Sequence, residues 1–212
     1  MDTFQTEEQQ VDAIKKYWQD NGNSLIAGLV IGLGGFVGWN YYQDSVVAEQ
    51  EQVSAQFQIT MESFAANEES FRANAETFIG ENSDTNYAAF AAFALAKDAS
   101  SHSDWAGAAK HLQKAVELAS SENMQAIALI RLARVQVQQQ AYDDVLVTLA
   151  KPMPETYKAS VEEIKGDTYL LQGNKELART AYQASADAGG LQINPALQLK
   201  IDDLNTSVNI AS

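Results

Sequence analysis

The sequence predicts an all-α protein, with one N-terminal transmembrane helix followed by an α-solenoid of helix pairs. Three observations carry this expectation. Residues 25–42 form an 18-residue stretch without a charge. From Thr85 onward, apolar residues recur at helical spacing in segments of similar length, with small residues where neighbouring helices would touch. Gly, Pro, Ser and Asn fall between these segments, and no alternation of strands and helices is present.

The uncharged stretch, Leu25 to Tyr42, would span roughly 27 Å as a helix at ~1.5 Å per residue, close to the ~30 Å hydrocarbon layer of a bilayer. Its strongly apolar residues, among them Leu25, Ile26, Leu29, Ile31 and Phe36, favour insertion by roughly 2–5 kcal/mol together. Gly28, Gly32, Gly34, Gly35 and Gly38 argue against a soluble core helix, where each costs ~1 kcal/mol relative to Ala. The residues before the stretch include five acids, and Trp39-Asn40-Tyr41-Tyr42 is a poor cleavage site, so an uncleaved signal anchor is expected. Gly32-Leu33-Gly34-Gly35-Phe36-Val37 nearly spells a dinucleotide-binding fingerprint, but Val37 stands where the third glycine belongs and no parallel sheet follows. Within the span, Gly28, Gly32 and Gly35 share one face that another membrane helix could approach closely.

Lys15 and Lys16 precede the span, and no Lys or Arg follows it until Arg72. The positive-inside rule then places residues 1–24 in the cytoplasm and the C-terminal bulk across the membrane. In that tail, Val11, Ile14, Tyr17 and Trp18 fall on one face of a short helix beginning near Thr6, with Asp12 and Lys16 as an i,i+4 pair. The face reads either as a cytoplasmic docking surface or as an interfacial helix floating its aromatics among headgroups. Asn21-Gly22-Asn23 is expected to end this helix, and Ser24 to cap the span.

Residues 43–212 carry 23 acidic against 12 basic side chains, within a formal net charge of −14 for the whole chain. Such a balance opposes both a nucleic-acid partner and an electrostatic hold on anionic lipid. With no cysteine, disulfides, thiolate zinc sites and cysteine nucleophiles are excluded.

After the span, residues 43–84 form a membrane-proximal segment. A helix over Asp44–Asn67 presents Val46, Val53, Phe57, Met61 and Phe64 as a narrow apolar seam, facing either the domain behind it or a partner helix. A shorter helix over Glu69–Ile79 follows, then turn residues Gly80 to Asp84. Residues 85–212 read as three helix pairs: Tyr87–Ala99 with Trp105–Ser120, Ala126–Gln139 with Tyr142–Ala150, and Ser160–Gln172 with Lys175–Ala188. Pro195 then permits a capping helix over Ala196–Leu204.

The turns near Asp104, Ala141 and Gly173 recur at close to the tetratricopeptide period of 34, which makes the solenoid tetratricopeptide-like. The third pair fits best, with Gly166 and Tyr169 before the turn and Ala178 and Tyr182 after it. The second keeps Ala133 and Ala141, while the first has Trp105, Ala108 and Ala109 but Lys97 where a glycine is expected.

No constellation for catalysis, cofactor or metal emerges. His102 and His111 lie nine residues apart, without metal-ligand spacing. The neighbours Asp143-Asp144, Glu162-Glu163 and Asp202-Asp203 project about 100° apart on a helix and do not converge as an acid–base pair. Arg131 and Arg134 interrupt the apolar run Ile127–Val137, either to pair with an acid on a neighbouring helix or to serve as a ligand handle. Binding through the groove of a helix-pair array is the expected work.

Gln10-Val11-Asp12-Ala13-Ile14-Lys15-Lys16-Tyr17-Trp18, the Asn21-Gly22 pair, the glycine-rich span ending at Gly38-Trp39, Leu132-Ala133-Arg134-Val135-Gln136-Val137-Gln138, and Gly173-Asn174 before Ala178-Arg179 together resemble the YfgM family of Gram-negative bacteria. The resemblance implies an inner-membrane protein with one span and a periplasmic tetratricopeptide-like domain. It further implies a non-enzymatic ancillary subunit of the SecYEG translocon, acting with the periplasmic chaperone PpiD on nascent or unfolded proteins as they emerge. A regulator whose tail sequesters a cytoplasmic response regulator is the competing expectation.

Overall fold

The structure, a computed structural model, describes residues 7–66 and 69–209. Thr6 and Asn67, proposed above as helix ends, lie outside the described residues. The described residues are helical with no strand, in agreement with the sequence. The chain divides into two compact units, Met1–Gln52 and Val53–Ser212.

The first unit is carried by α1 (Glu7–Ala65), which passes through residues 21–23 without the expected break, so Ser24 sits inside the helix rather than at a cap. Local contacts explain the continuation. The Asn21 side chain donates to the carbonyl of Tyr17 at 3.2 Å, so it closes onto the helix instead of competing with it. The Trp18 ring lies over buried Gly22 and shields the backbone that glycine would expose. The expected Asp12–Lys16 contact is replaced by Asp12–Lys15, at 3.9 Å.

The second unit opens on the last turns of α1. Val53, Phe57, Met61 and Phe64 pack against Phe71, Ala75 and Phe78 of α2 (Phe71–Glu81) and Ala88, Ala91 and Leu95 of α3 (Asn86–Ser101). The seam from Val53 to Phe64 therefore faces its own domain. Phe57 is the hub, its ring 4.9 Å from Tyr87, 5.8 Å from Phe78 and 6.4 Å from Phe90, while Phe64 stacks 4.8 Å from Phe71. Burying the Phe71 and Phe78 rings contributes roughly 1.5–3 kcal/mol each, and the ring pairs add about 0.5–1.5 kcal/mol apiece. α2 starts two residues later than the pattern suggested and runs through Gly80, with Asn82 closing it by donating to the carbonyl of Phe78.

Three helix pairs follow in order: α3 with α4 (Trp105–Leu118), α5 (Glu122–Gln138) with α6 (Tyr142–Leu149), and α7 (Lys158–Leu171) with α8 (Lys175–Asp187). Each helix packs on the next. A short 3-10 turn over Glu155–Tyr157 and the one-turn helix α9 (Gly190–Ile193) had no clear sequence signal, and α10 (Leu197–Asn209) closes the array on α8.

One turn geometry joins all three pairs. Ser103, Gln140 and Gly173 have φ of 59°, 59° and 81°, the left-handed conformation that ends a helix. Behind each, the next backbone N–H reaches five residues back, from Asp104 to Ala99, Ala141 to Gln136 and Asn174 to Tyr169, at 2.9, 3.0 and 2.8 Å. Counted from that residue, the repeat register becomes exact. Seven positions before it stand Ala96, Ala133 and Gly166; five after it stand Ala108, Val145 and Ala178; nine after it stand Leu112, Leu149 and Tyr182, and most are almost fully buried. Lys97 therefore does not occupy the glycine position; Ala96 does. At Gly166 the Tyr182 ring occupies the space a Cβ would take, which is why this pair needs glycine where the others manage with alanine.

The same register singles out a missing cap. Asp104 and Asn174 accept from the N–H of Gly107 and Leu177, at 2.9 and 3.3 Å, whereas Ala141, at the equivalent position, has no side chain to offer α6. Ala141→Asn, copying Asn174, is expected to stabilise the second unit by about 1 kcal/mol. A urea unfolding midpoint at or below the parent's contradicts the shared-turn account.

Candidate functional site

Three surfaces stand out among the described residues. The first is the apolar stretch of α1, where Leu29, Ile31, Phe36 and Val37 stand exposed, Ile31 at 74%. Among the described residues, α1 is the one helix long and apolar enough to cross a membrane. Leaving these side chains in water forfeits roughly 1.5–3 kcal/mol each, which a bilayer would restore. A Cβ added at Gly28, Gly32 or Gly35 would meet nothing within 4 Å, so the chain's own packing does not require glycine there.

The second surface is the N-terminal face. Val11, Ile14, Tyr17 and Trp18 are all exposed on α1 before the apolar stretch.

The third lies between the first two helix pairs. Phe93, Ala96 and Lys97 on α3 and Arg131, Arg134 and Val135 on α5 line an open cavity of about 350 Å³. The Arg131 guanidinium sits 4.9 Å from the centre of the Phe93 ring, and the Lys97 ammonium 5.5 Å from that of Phe64. Arg131 and Arg134 form no ion pair with a carboxylate among the described residues, so the pairing offered above as one explanation of these arginines is not made.

The third pair treats the equivalent position differently. Lys97 and Arg134 correspond, in the register set by the turns, to Asp167. Its carboxylate accepts from Lys200 of α10 at 2.7 and 2.9 Å and from the Tyr182 hydroxyl at 2.7 Å. Lys200 also donates to Glu163 at 2.8 Å, and the Asn194 amide donates to the same oxygen at 2.6 Å. Burial works to lower the pKa of Lys200, but its hydrogen bonds to Asp167 and Glu163 outweigh that and leave it raised. Burial, reinforced by the bond to Asp167, likewise pushes the Tyr182 phenol well above its usual range. Because the folded pKa of Lys200 lies above its ordinary value, this contribution is complete below that value and fades only as pH rises through the folded one.

Glu162 turns to Lys165, at 2.7 Å, and away from Glu163. His102 stays exposed, its Nδ1 2.8 Å from the Asp98 carbonyl, beside an Arg72–Asp98 ion pair of 2.5 Å. His111 is half-buried on α4, and burial lowers its pKa against the raising effect of Glu76. Among the described residues, no group of three or more His, Asp or Glu is arranged to hold a metal ion.

Helix pairs with one turn geometry and one shared register of buried residues, preceded by a helix apolar enough to span a bilayer, define a tetratricopeptide repeat-like α-solenoid. A family model described as a tetratricopeptide repeat-like domain matches residues 15–206. The ancillary SecYEG translocon subunit of Escherichia coli (strain K12) is 32% identical over 209 residues, covering 97% of this chain and all of that protein. Proteins of the same name from Haemophilus influenzae and Neisseria gonorrhoeae are 30% and 27% identical over 198 and 208 residues, each alignment covering 93% of this chain and 97% of the relative. The chain belongs to the YfgM family of tetratricopeptide repeat-like proteins, the family its sequence resembles. No solved structure matches it significantly.

The Lys200 network closes the array, and it can be tested separately from any partner. Lys200→Met is expected to destabilise the second unit by about 1–2 kcal/mol, by leaving Glu163 and Asp167 without their cation. The figure sits at the low side because the Lys200 side chain keeps 30% of its exposure. Urea unfolding and amide exchange report it, with lost protection concentrated in α10; an unchanged midpoint rejects the role.

Proposed function

We propose that this chain is a non-enzymatic adaptor, anchored in the bacterial inner membrane by residues 25–42, that associates with the SecYEG translocon and with PpiD. In this reading the N-terminus is cytoplasmic, the helix-pair domain is periplasmic, and the domain assists secreted and envelope proteins as they emerge. The observation that carries it is the pairing of a bare apolar helix with a binding solenoid in a chain aligned over nearly its whole length with relatives named ancillary SecYEG translocon subunit. Lys15 and Lys16 before the span support the orientation. Gly28, Gly32 and Gly35 supply the membrane contact, and Val11, Ile14, Tyr17 and Trp18 a cytoplasmic docking face.

Extraction in mild detergent should recover translocon subunits and PpiD with this chain, well above the yield from an unrelated single-span protein. Protease added to spheroplasts should remove the helix-pair domain. Equal recovery from the control overturns the association, and a protected domain overturns the orientation.

Replacing Gly28, Gly32 and Gly35 together by Leu should reduce in-membrane crosslinking to these partners by about tenfold or more, while leaving the unfolding of the second unit unchanged. A Cβ at each of these three positions would meet nothing within 4 Å beyond its own stretch of helix, so a loss of crosslinking reports a neighbour in the membrane. Unchanged crosslinking to every partner removes the glycine face from the proposal.

A further inference from the structure

We infer that the cavity between α3 and α5 is a binding site for a peptide segment of another protein that carries acidic side chains beside a large apolar one. The inference deepens the adaptor reading and rests on it. Its first support is charge. The chain holds 28 acidic against 14 basic residues, yet Lys97, Arg131 and Arg134 gather on this one groove without forming an ion pair to a carboxylate among the described residues. In an acidic protein such a cluster is the exception, and a carboxylate from outside is its natural complement.

The second support is how the cations are held. Arg131 lies over Phe93 and Lys97 over Phe64, so aromatic faces hold both charges while their N–H donors make no hydrogen bond among the described residues. A bound carboxylate would meet pre-positioned donors and form charge-assisted hydrogen bonds with little loss of side-chain freedom.

The third support is the contrast within the array. At the equivalent position of the third pair, Asp167 is tied to Lys200 and Tyr182, so its charge is satisfied internally. The first two pairs present Lys97 and Arg134 instead, with no acid paired to them among the described residues. The apolar walls of Phe93, Ala96 and Val135 ask for an apolar side chain next to the acid, and a cavity of about 350 Å³ lies in the size range of ligand pockets. Both Arg131 and Arg134 are exposed, so their replacement by neutral residues disturbs no buried packing.

The experiment uses the full chain in detergent and a short fluorescent peptide in which Asp and Glu alternate with Leu and Phe, beside the same peptide with Asn and Gln. The parent should bind the acidic peptide at least about tenfold more tightly than the neutral one, and added salt should weaken the binding. The Arg131→Gln, Arg134→Gln variant should lose at least about tenfold in affinity at an unchanged unfolding midpoint. Equal binding of the two peptides, or equal binding by parent and variant, overturns the site. So does a result in which the variant alters only self-association, or only binding to anionic vesicles. Recovery of translocon subunits with the same variant reads the adaptor role separately, so failure of the groove and failure of the association are distinguishable.

Discussion

The helix-pair domain depends on how closely the two helices of a pair approach. A pair can come together only where the facing residue is small, and Ala96, Ala133 and Gly166 provide that at one register position in each. Everything else in the unit is arranged around those approaches. The residue nine positions beyond the turn, Leu112, Leu149 or Tyr182, fills the space opposite, and its size matches the depth left open. Tyr182 is the largest and stands against the only glycine of the three. Its hydroxyl then reaches Asp167, so the close approach at Gly166 leads directly to the Lys200 network.

The left-handed turn residues show the same constraint in the backbone. An ordinary residue held at φ near 59° costs about 1 kcal/mol or more, and Ser103 and Gln140 both stay there. They are kept in place by the backbone bonds from Asp104 to Ala99 and from Ala141 to Gln136, which tie the chain end of one helix to the start of the next. Turn shape is thus shared by all three pairs, while only the third has the glycine that would suggest it.

That difference explains what could be read from the sequence. The third pair was legible because Gly166, Gly173, Ala178 and Tyr182 are the residue types its geometry favours. The first pair was misaligned by one position, since a search for glycine passes over Ala96 and meets Lys97. The continuation of α1 through Asn21-Gly22-Asn23 was not legible either. Asn21 and Gly22, which usually end helices, are held there by the Tyr17 carbonyl and the Trp18 ring, contacts that exist only once the helix has formed. Among the candidate surfaces, the apolar stretch of α1 and the row Val11, Ile14, Tyr17 and Trp18 can be picked out from spacing alone. The groove cannot, because Lys97 lies on a different helix from Arg131 and Arg134, and the lack of an ion pair to any of the three among the described residues is a three-dimensional fact.

The aromatic cluster around Phe57 has a consequence for how the molecule could ever be released from its anchor. The residues that complete the first hydrophobic core belong to the same continuous helix that carries the membrane stretch. A cut upstream of Val53 would free a body whose interior is whole. A cut a few turns later would strip away Phe57, Met61 and Phe64 and leave Phe71, Phe78 and Tyr87 facing water, so shedding is compatible with folding only within a narrow window of the chain.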